Sequence, residues 1–312
     1  MSGSVEIYRG FVNTWQCDEN DHLNVQFYLA MLDQGLAHLR ARLGLTPARI
    51  RADDLTLRSA RDHIRYLSER HAGDCVHIDS GVLDAGPDGL RLYSEMKDAV
   101  AGTPVAGITS VLEGYRPAAR QPAAIPADVI AAARALTTRR PDHGGPRGVP
   151  EAGVAAVDLT LDDAHRLGLV ATYHGSVQPA HCDAHGWNAI QHVMSRLSDG
   201  AGNMFARLGG SRSRSVADGR GGVALEQALR YLAPLYPGTP ITILSAPTEI
   251  GAKTSEYTHL MFDAATGGLA ATARVRAASF DLNTRRISPP TDEERARLEA
   301  ARVDLTTVAA PA

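Results

Sequence analysis

The sequence predicts an α+β protein built from two tandem copies of one domain, each an antiparallel sheet wrapped around a single long helix. Three observations lead there. The chain repeats itself once, each copy holds one long run of helical periodicity, and short β-like runs ended by turn residues surround that run. A lone amphipathic helix among several strands buries its apolar face most economically against a sheet curled around it.

The repeat has an offset of 165 residues and needs no gap. Tyr8-Arg-Gly-Phe-Val and Cys17-Asp18 return as Tyr173-His-Gly-Ser-Val and Cys182-Asp183. Gly35 pairs with Gly200, Ala41-Arg-Leu-Gly44 with Ala206-Arg-Leu-Gly209, Arg65-Tyr-Leu67 with Arg230-Tyr-Leu232, and Asp98-Ala99 with Asp263-Ala264. Two copies of this length exclude a solenoid, whose period is shorter and whose copies are more numerous. The expected division is 1–136 and 170–312 around a linker, 137–169, that contains the Pro-, Gly- and Arg-rich run RRPDHGGPRGVP.

Within copy one, residues 24–43 place Val25, Tyr28, Leu29, Leu32, Leu36, Leu39 and Leu43 at helical spacing, with Gly44 as a stop. Copy two gives Ile190, Val193, Met194, Leu197, Ala201, Met204 and Leu208, then Gly209. Gly35 and Gly200 fall in mid-helix, where Gly costs about 1 kcal/mol relative to Ala, so a close approach by a strand or by the sister helix is expected there. Strands are expected near 5–16 and 170–181, then at Cys75–Leu83, Leu90–Lys97 and Val105–Tyr115, with counterparts Ile241–Pro247, Glu256–Phe262 and Leu269–Phe280. A short polar surface helix is expected near 127–136 and again near 291–302.

Composition narrows the function. The 312 residues are 44% hydrophobic and 21% charged, which is the composition of a folded globular chain. A net charge of −3 gives no basic face for nucleic acid. No apolar run is long enough for a membrane helix, and MSGSVEIYRG lacks the pattern of a signal peptide. Three scattered cysteines, Cys17, Cys75 and Cys182, give neither a disulfide framework nor a zinc spacing, so a reducing cytoplasm is the expected setting. There is no Gly-x-Ser-x-Gly elbow, dinucleotide fingerprint or P-loop.

The unusual residues gather between the first strand and the long helix. Copy one reads Trp15-Gln-Cys-Asp18-Glu-Asn20-Asp-His22-Leu-Asn24, and copy two reads Ala180-His-Cys-Asp183-Ala-His-Gly186-Trp187-Asn188. A carboxylate just before a helix can cap it, or act as a base beside amides that polarise a carbonyl. Capping alone does not require Asn and His at alternate positions after the Asp. Trp15 and Trp187 are candidates to line a pocket, although aromatic residues here also suit a core. Cys17 and Cys182 are expected to pack rather than react.

This segment and the strand–helix–strands order resemble the hotdog-fold thioesterases. Asp18-x-Asn20-x-His22 followed by Asn24 is similar to the catalytic segment of acyl-carrier-protein thioesterases, which are also tandem double hotdogs. CDENDHLNVQFYLAMLDQG is similar to acyl-CoA thioesterases of the 4-hydroxybenzoyl-CoA type, whose Asp-x-x-Gly appears here as Asp183-Ala-His-Gly186 while Asp21 stands in the Gly place in copy one.

The resemblance implies Asp18 as nucleophile or as base for water, Asn20 and His22 as positioning and proton-handling residues, and the amides around His22 to Asn24 as carbonyl-polarising groups. It also implies Asp183 as the matching carboxylate and Gly186 as the amide-presenting glycine. Asn24, Trp15, Gly186, Trp187 and Asn188 complete the candidate substrate-binding set. The fuller motif sits in the first copy, whereas acyl-carrier-protein enzymes carry it in the second. Their later Glu-Cys pair has no match, since Glu69 lies nearby but out of register.

The expected activity is hydrolysis of an acyl thioester, acyl-CoA or acyl-carrier protein, in a groove between the copies, with no metal or organic cofactor. Arg61, Arg65 and Arg70 are candidates to grip CoA phosphates. Two alternatives stand beside this reading: an enoyl-thioester hydratase and a non-catalytic acyl-thioester binding module. Neither nucleic acid nor membrane is an expected partner. Hotdog pairs often assemble further, so a homo-oligomer is admitted.

Overall fold

The two long helices form at equivalent places, Val25–Arg42 and Ile190–Arg207, eighteen residues each. In the computed structural model, which describes residues 3–154 and 158–305 and only the backbone of 212–214, the chain divides into two units, Met1–Arg147 and Gly148–Ala312. The first unit runs β1 (Val5–Phe11), α1 (Val25–Arg42), α2 (Pro47–Asp53), β2 (Thr56–Tyr66), β3 (Cys75–Gly86), β4 (Gly89–Asp98), β5 (Pro104–Arg116), β6 (Gln121–Pro122) and α3 (Ala127–Arg134). The second runs α4 (Leu161–Arg166), β7 (Val170–Ser176), α5 (Ile190–Arg207), α6 (Arg212–Ala217), β8 (Arg220–Tyr231), β9 (Pro240–Ile250), β10 (Ser255–Asp263), β11 (Leu269–Asp281), β12 (Arg286–Ser288) and α7 (Asp292–Ala300).

Both units have one topology. In the first, antiparallel pairing gives the order β1-β3-β4-β5-β2, with β6 on β5. In the second it gives β7-β9-β10-β11-β8, with β12 on β11. The long helix of each unit lies against the edge strand that precedes it and the strand beside that one. In α1 the apolar stripe Tyr28, Leu29, Leu32, Leu36 and Leu39 is buried, and in α5 Val193, Met194, Leu197 and Met204 are.

The mid-helix glycines mark where the strand comes closest. A Cβ on Gly35 would stand 2.9 Å from Ile7 Cδ1 and 3.3 Å from Tyr8 Cβ on β1. One on Gly200 would stand 3.1 Å from Thr172 Oγ1 on β7. A strand approach is therefore what these glycines accommodate.

Several expectations need correction. The strands β2 and β8 were not expected, and neither were α2, α4 and α6. β2 is rich in charge, yet Arg58, Asp62 and His63 are buried in it. Arg58 pairs with Glu113 on β5, and Asp62 accepts a 2.5 Å hydrogen bond from Ser110. Cross-strand partners thus allow a polar sequence to form a strand that reads as loop.

The closing helices are not wholly superficial, since Val129, Ala133 and Leu298 are buried. Residues 137–169, expected as a solvated linker, are divided between the units. Thr138 N donates to Val82 O, Arg140 to Thr109 Oγ1 and Arg65 to Gly145 O, which fixes the first part on the first unit. In the second part, Leu159, Ala164 and Leu169 join Leu244, Leu260 and Phe262 in a core cluster. Residues 155–157 lie outside the described set. Among the described residues, no helix is long and apolar enough to cross a membrane.

Candidate active site

After β1 the chain of the first unit makes a short 3-10 turn, Thr14–Gln16, and then a tight loop before α1. The loop is closed by Asp18 N to His22 O at 3.0 Å and Asp21 N to Asp18 O at 3.0 Å. Asp21 takes a left-handed conformation, φ 61°, which Asp tolerates better than most residues with a side chain. Asp18 Oδ1 accepts from Asn20 N at 2.9 Å, so the carboxylate is oriented by its own loop. Asn24 caps α1, its Oδ1 accepting from Gln26 N at 3.1 Å.

The loop holds His22 between two carboxylates. Its Nε2 lies 3.2 Å from Asp18 Oδ2, and its Nδ1 lies 3.2 Å from Glu69 Oε1. Burial works against a charge on this imidazole, but the hydrogen bonds and negative charges of Asp18 and then Glu69 outweigh it and raise the His22 pKa above 6.5. Asn20 is buried in the same loop and Asp18 is largely so, with 16% of its side chain exposed.

Glu69 is the residue that sequence reasoning set aside. It follows β2, 47 positions beyond His22, and no spacing rule connects them. The connection is a backbone bond: Leu23 N donates to Arg70 O at 2.7 Å and ties that segment to the loop. The same bond changes the expected role of the local amides. Leu23 N is engaged by Arg70 O and Asn24 N by Gln16 O at 2.9 Å, so neither is free to polarise a substrate carbonyl. Val25, the first residue of α1, presents its amide at the helix N-terminus, outside the intrahelical ladder.

The second unit repeats the backbone of this corner. Asp183 N donates to Trp187 O at 2.9 Å, Gly186 N to Asp183 O at 3.1 Å, and Asn188 N to Leu235 O at 2.7 Å. Gly186 has φ 83° where Asp21 has 61°, and the bridge Cys17–Leu23 is matched by Cys182–Asn188. The side chains differ. Trp187, buried at 6% exposure, stands where His22 does. Pro234 stands where Glu69 does. Asp183 Oδ1 accepts from His185 N at 2.8 Å, a turn-forming bond like that of Asp18.

The remaining candidates fall on both sides. Trp15 is 74% exposed, so it does not line an enclosed pocket. Trp187 is enclosed, with its ring 5.1 Å from His185. Asn188 is buried and accepts from Arg196. Arg70 is held by Asp98 at 2.5 Å and Asp74 at 3.6 Å, which leaves it poorly placed to grip a phosphate. Cys17 and Cys182 sit in the corner bridges rather than in strands, half-buried. Burial, foremost, raises both thiol pKa values, and neighbouring carboxylates add to it. Both are therefore poor thiolates.

Residues 12–133 and 177–298 match the Thioesterase-like superfamily, one match in each unit. The chain belongs to that family, and its fold is a tandem pair of hotdog domains. Among solved structures, it is similar to an acyl-ACP thioesterase from Bacteroides thetaiotaomicron, with a TM-score of 0.64 at 12% identity over 88% of this chain and 98% of that one. It is also similar to a 12:0-ACP thioesterase from Umbellularia californica, with a TM-score of 0.62 at 13% identity over 89% and 94%. No curated protein matches the sequence.

Proposed function

We propose that this protein hydrolyses an acyl thioester, with acyl-CoA as the substrate, at the corner of the first unit. The observation that carries the reading is the Asp18–His22–Glu69 array, a part-exposed carboxylate oriented by an imidazole that a second carboxylate holds in place. Asp18 acts as base on a water. The water oxygen adds to the acyl carbon, the carbon–sulfur bond breaks, and the proton taken by Asp18 passes to the departing thiolate. His22 carries its proton between the two carboxylates and keeps Asp18 in position. The Val25 amide, reinforced by the N-terminal end of the α1 dipole, stabilises the developing oxyanion. Asn20 and Asn24 are positioning residues for the loop and the helix start.

Family membership supports the reaction class, and the names of the two similar structures make acyl-carrier protein the second carrier to try. The test is thiol release from a panel of acyl-CoA and acyl-carrier-protein thioesters that varies chain length and head group. Turnover of one panel member, lost in Asp18→Asn with an unchanged melting profile, is the expected result. Saturable binding without release across the panel would replace hydrolysis by a binding module.

A further inference from the structure

The second unit buries a charge that the thioester chemistry does not use. Arg196 on α5 is 2% exposed. Its guanidinium hydrogen bonds are to neutral groups only: Asn188 Oδ1 at 3.1 Å, His192 O at 2.6 Å, Ser176 O at 3.5 Å and His181 Nδ1 at 2.8 Å. Among the described residues, no carboxylate lies within ion-pair distance of it. Asp199, one turn further along α5, feels the Arg196 charge but makes no ion pair with it, and a buried cation with no direct carboxylate partner is costly to keep.

The cluster also holds unengaged donors. Arg196 Nε and Asn188 Nδ2 are both buried and have no hydrogen-bond partner, and Asn188 is 7% exposed. Arginine has donors only, so Asn188 must turn its oxygen, and His181 its bare Nδ1, toward Arg196. That leaves the Asn188 amide nitrogen and the His181 Nε2–H as donors directed elsewhere. The rings of His181 and His192 stack at 4.5 Å. Burial and then the Arg196 charge lower the His181 pKa. Burial, His181 and Arg196 lower that of His192 to about 4. Both rings are therefore neutral near pH 7, so Arg196 is the cluster's one cation, and the charged group nearest it on the same helix is Asp199, whose pKa burial raises and Arg196 lowers.

The fold does not demand this charge. The equivalent positions in the first unit, 165 residues earlier, are Met31 for Arg196, Leu23 for Asn188, Phe27 for His192 and Gln16 for His181. Met31 and Leu23 are buried core residues there. The same backbone thus closes around apolar side chains in one unit and around an arginine with spare donors in the other.

We propose that this corner of the second unit is an oxyanion-binding site that takes one carboxylate or phosphate group. Arg196 supplies the charge, and Asn188 Nδ2 and His181 Nε2 supply hydrogen bonds. The half-buried histidine pair is the side from which the anion reaches the guanidinium. The site rests on the second unit alone, so it stands or falls separately from thiol release.

The test uses the full chain at constant ionic strength set with chloride. Acetate, inorganic phosphate and coenzyme A are titrated in turn, while melting temperature and histidine ring resonances are followed by NMR. Wild type is expected to show saturable stabilisation and saturable shifts of the His181 and His192 resonances with at least one of the three. Saturation by acetate alone identifies a carboxylate source. Saturation by phosphate and by coenzyme A identifies a phosphate source. Arg196→Met, which installs the residue found at Met31, is expected to weaken the response at least tenfold. If that variant does not fold, Asn188→Leu and His181→Gln, also residues of the first unit, must each weaken it. No response to any of the three anions in wild type, or an undiminished response in the variants, overturns the proposal.

Discussion

The corner of the first unit and the corner of the second share a backbone and differ in chemistry. Each has a 3-10 turn, an Asp whose carboxylate accepts an amide two residues on, a left-handed residue at the fourth position, and a bridge that closes onto the helix start. The first surrounds an imidazole with two carboxylates. The second surrounds a guanidinium with neutral acceptors. Exchanges at a handful of positions account for the difference: His22 with Trp187 and Glu69 with Pro234 remove the first cluster, and Met31 with Arg196, Leu23 with Asn188 and Gln16 with His181 build the second. The corner is therefore a scaffold, and a few side chains projecting onto it decide what it does.

The comparison breaks most visibly if the wrong carboxylate is removed. Asp18→Asn is expected to lower turnover by about 10²- to 10⁴-fold, the range for loss of a general base, and steady-state thiol release measures it. Glu69→Gln is expected to act through His22. Loss of one charge-assisted hydrogen bond of roughly 1.5 kcal/mol corresponds to about a tenfold loss. Its separate signature is a fall in the His22 pKa, read by NMR titration, which a purely structural change at Glu69 would not produce.

A third expectation concerns pH. The His22 pKa is raised by folding, so its contribution to stability is fully present below 6.5, the ordinary histidine value, and is lost as pH rises through the folded value. Melting temperature should therefore decline on the alkaline side of 6.5, and His22→Gln should flatten that decline. The second unit has no histidine at this position and is expected to contribute no such slope.

The smallest effect is at the left-handed position. Gly186 has open space where a Cβ would stand but φ is 83°. Gly186→Ala should then cost only the backbone penalty, about 1–2 kcal/mol, as read by denaturant unfolding. Asp21→Gly is expected to shift stability in the opposite direction, since Asp21 already bears that strain.

Much of this architecture was legible in the sequence. The gap-free repeat and the periodicity of Val25–Leu43 marked the two long helices to within a residue at each end, because an apolar stripe at 3.6-residue spacing is the signature of a helix with one buried face. Asp18, Asn20 and His22 stood out as polar residues in a pattern that capping does not need. Glu69 was noticed but set aside as out of register, since a contact made through the Leu23–Arg70 backbone bond leaves no trace in spacing. The strands β2 and β8 were missed for a related reason. In β2 the part-buried ion pair of Arg58 with Glu113 and the hydrogen bond between Asp62 and Ser110, and in β8 the buried Glu226 and Gln227, with Glu226 accepting from Gly148 N, replace the hydrophobic alternation by which strands are recognised. Arg196 was hidden by the opposite effect, as one polar residue in an otherwise regular apolar stripe.

The central claim is that the chemistry belongs to the first corner. The most direct measurement compares single-turnover thiol release for wild type, Asp18→Asn and Asp183→Asn on one thioester that wild type cleaves, with all three shown to melt alike. The predicted result is a loss of about 10²-fold or more for Asp18→Asn and a rate within a few-fold of wild type for Asp183→Asn. A large loss confined to Asp183→Asn would contradict it and move the reaction to the second unit.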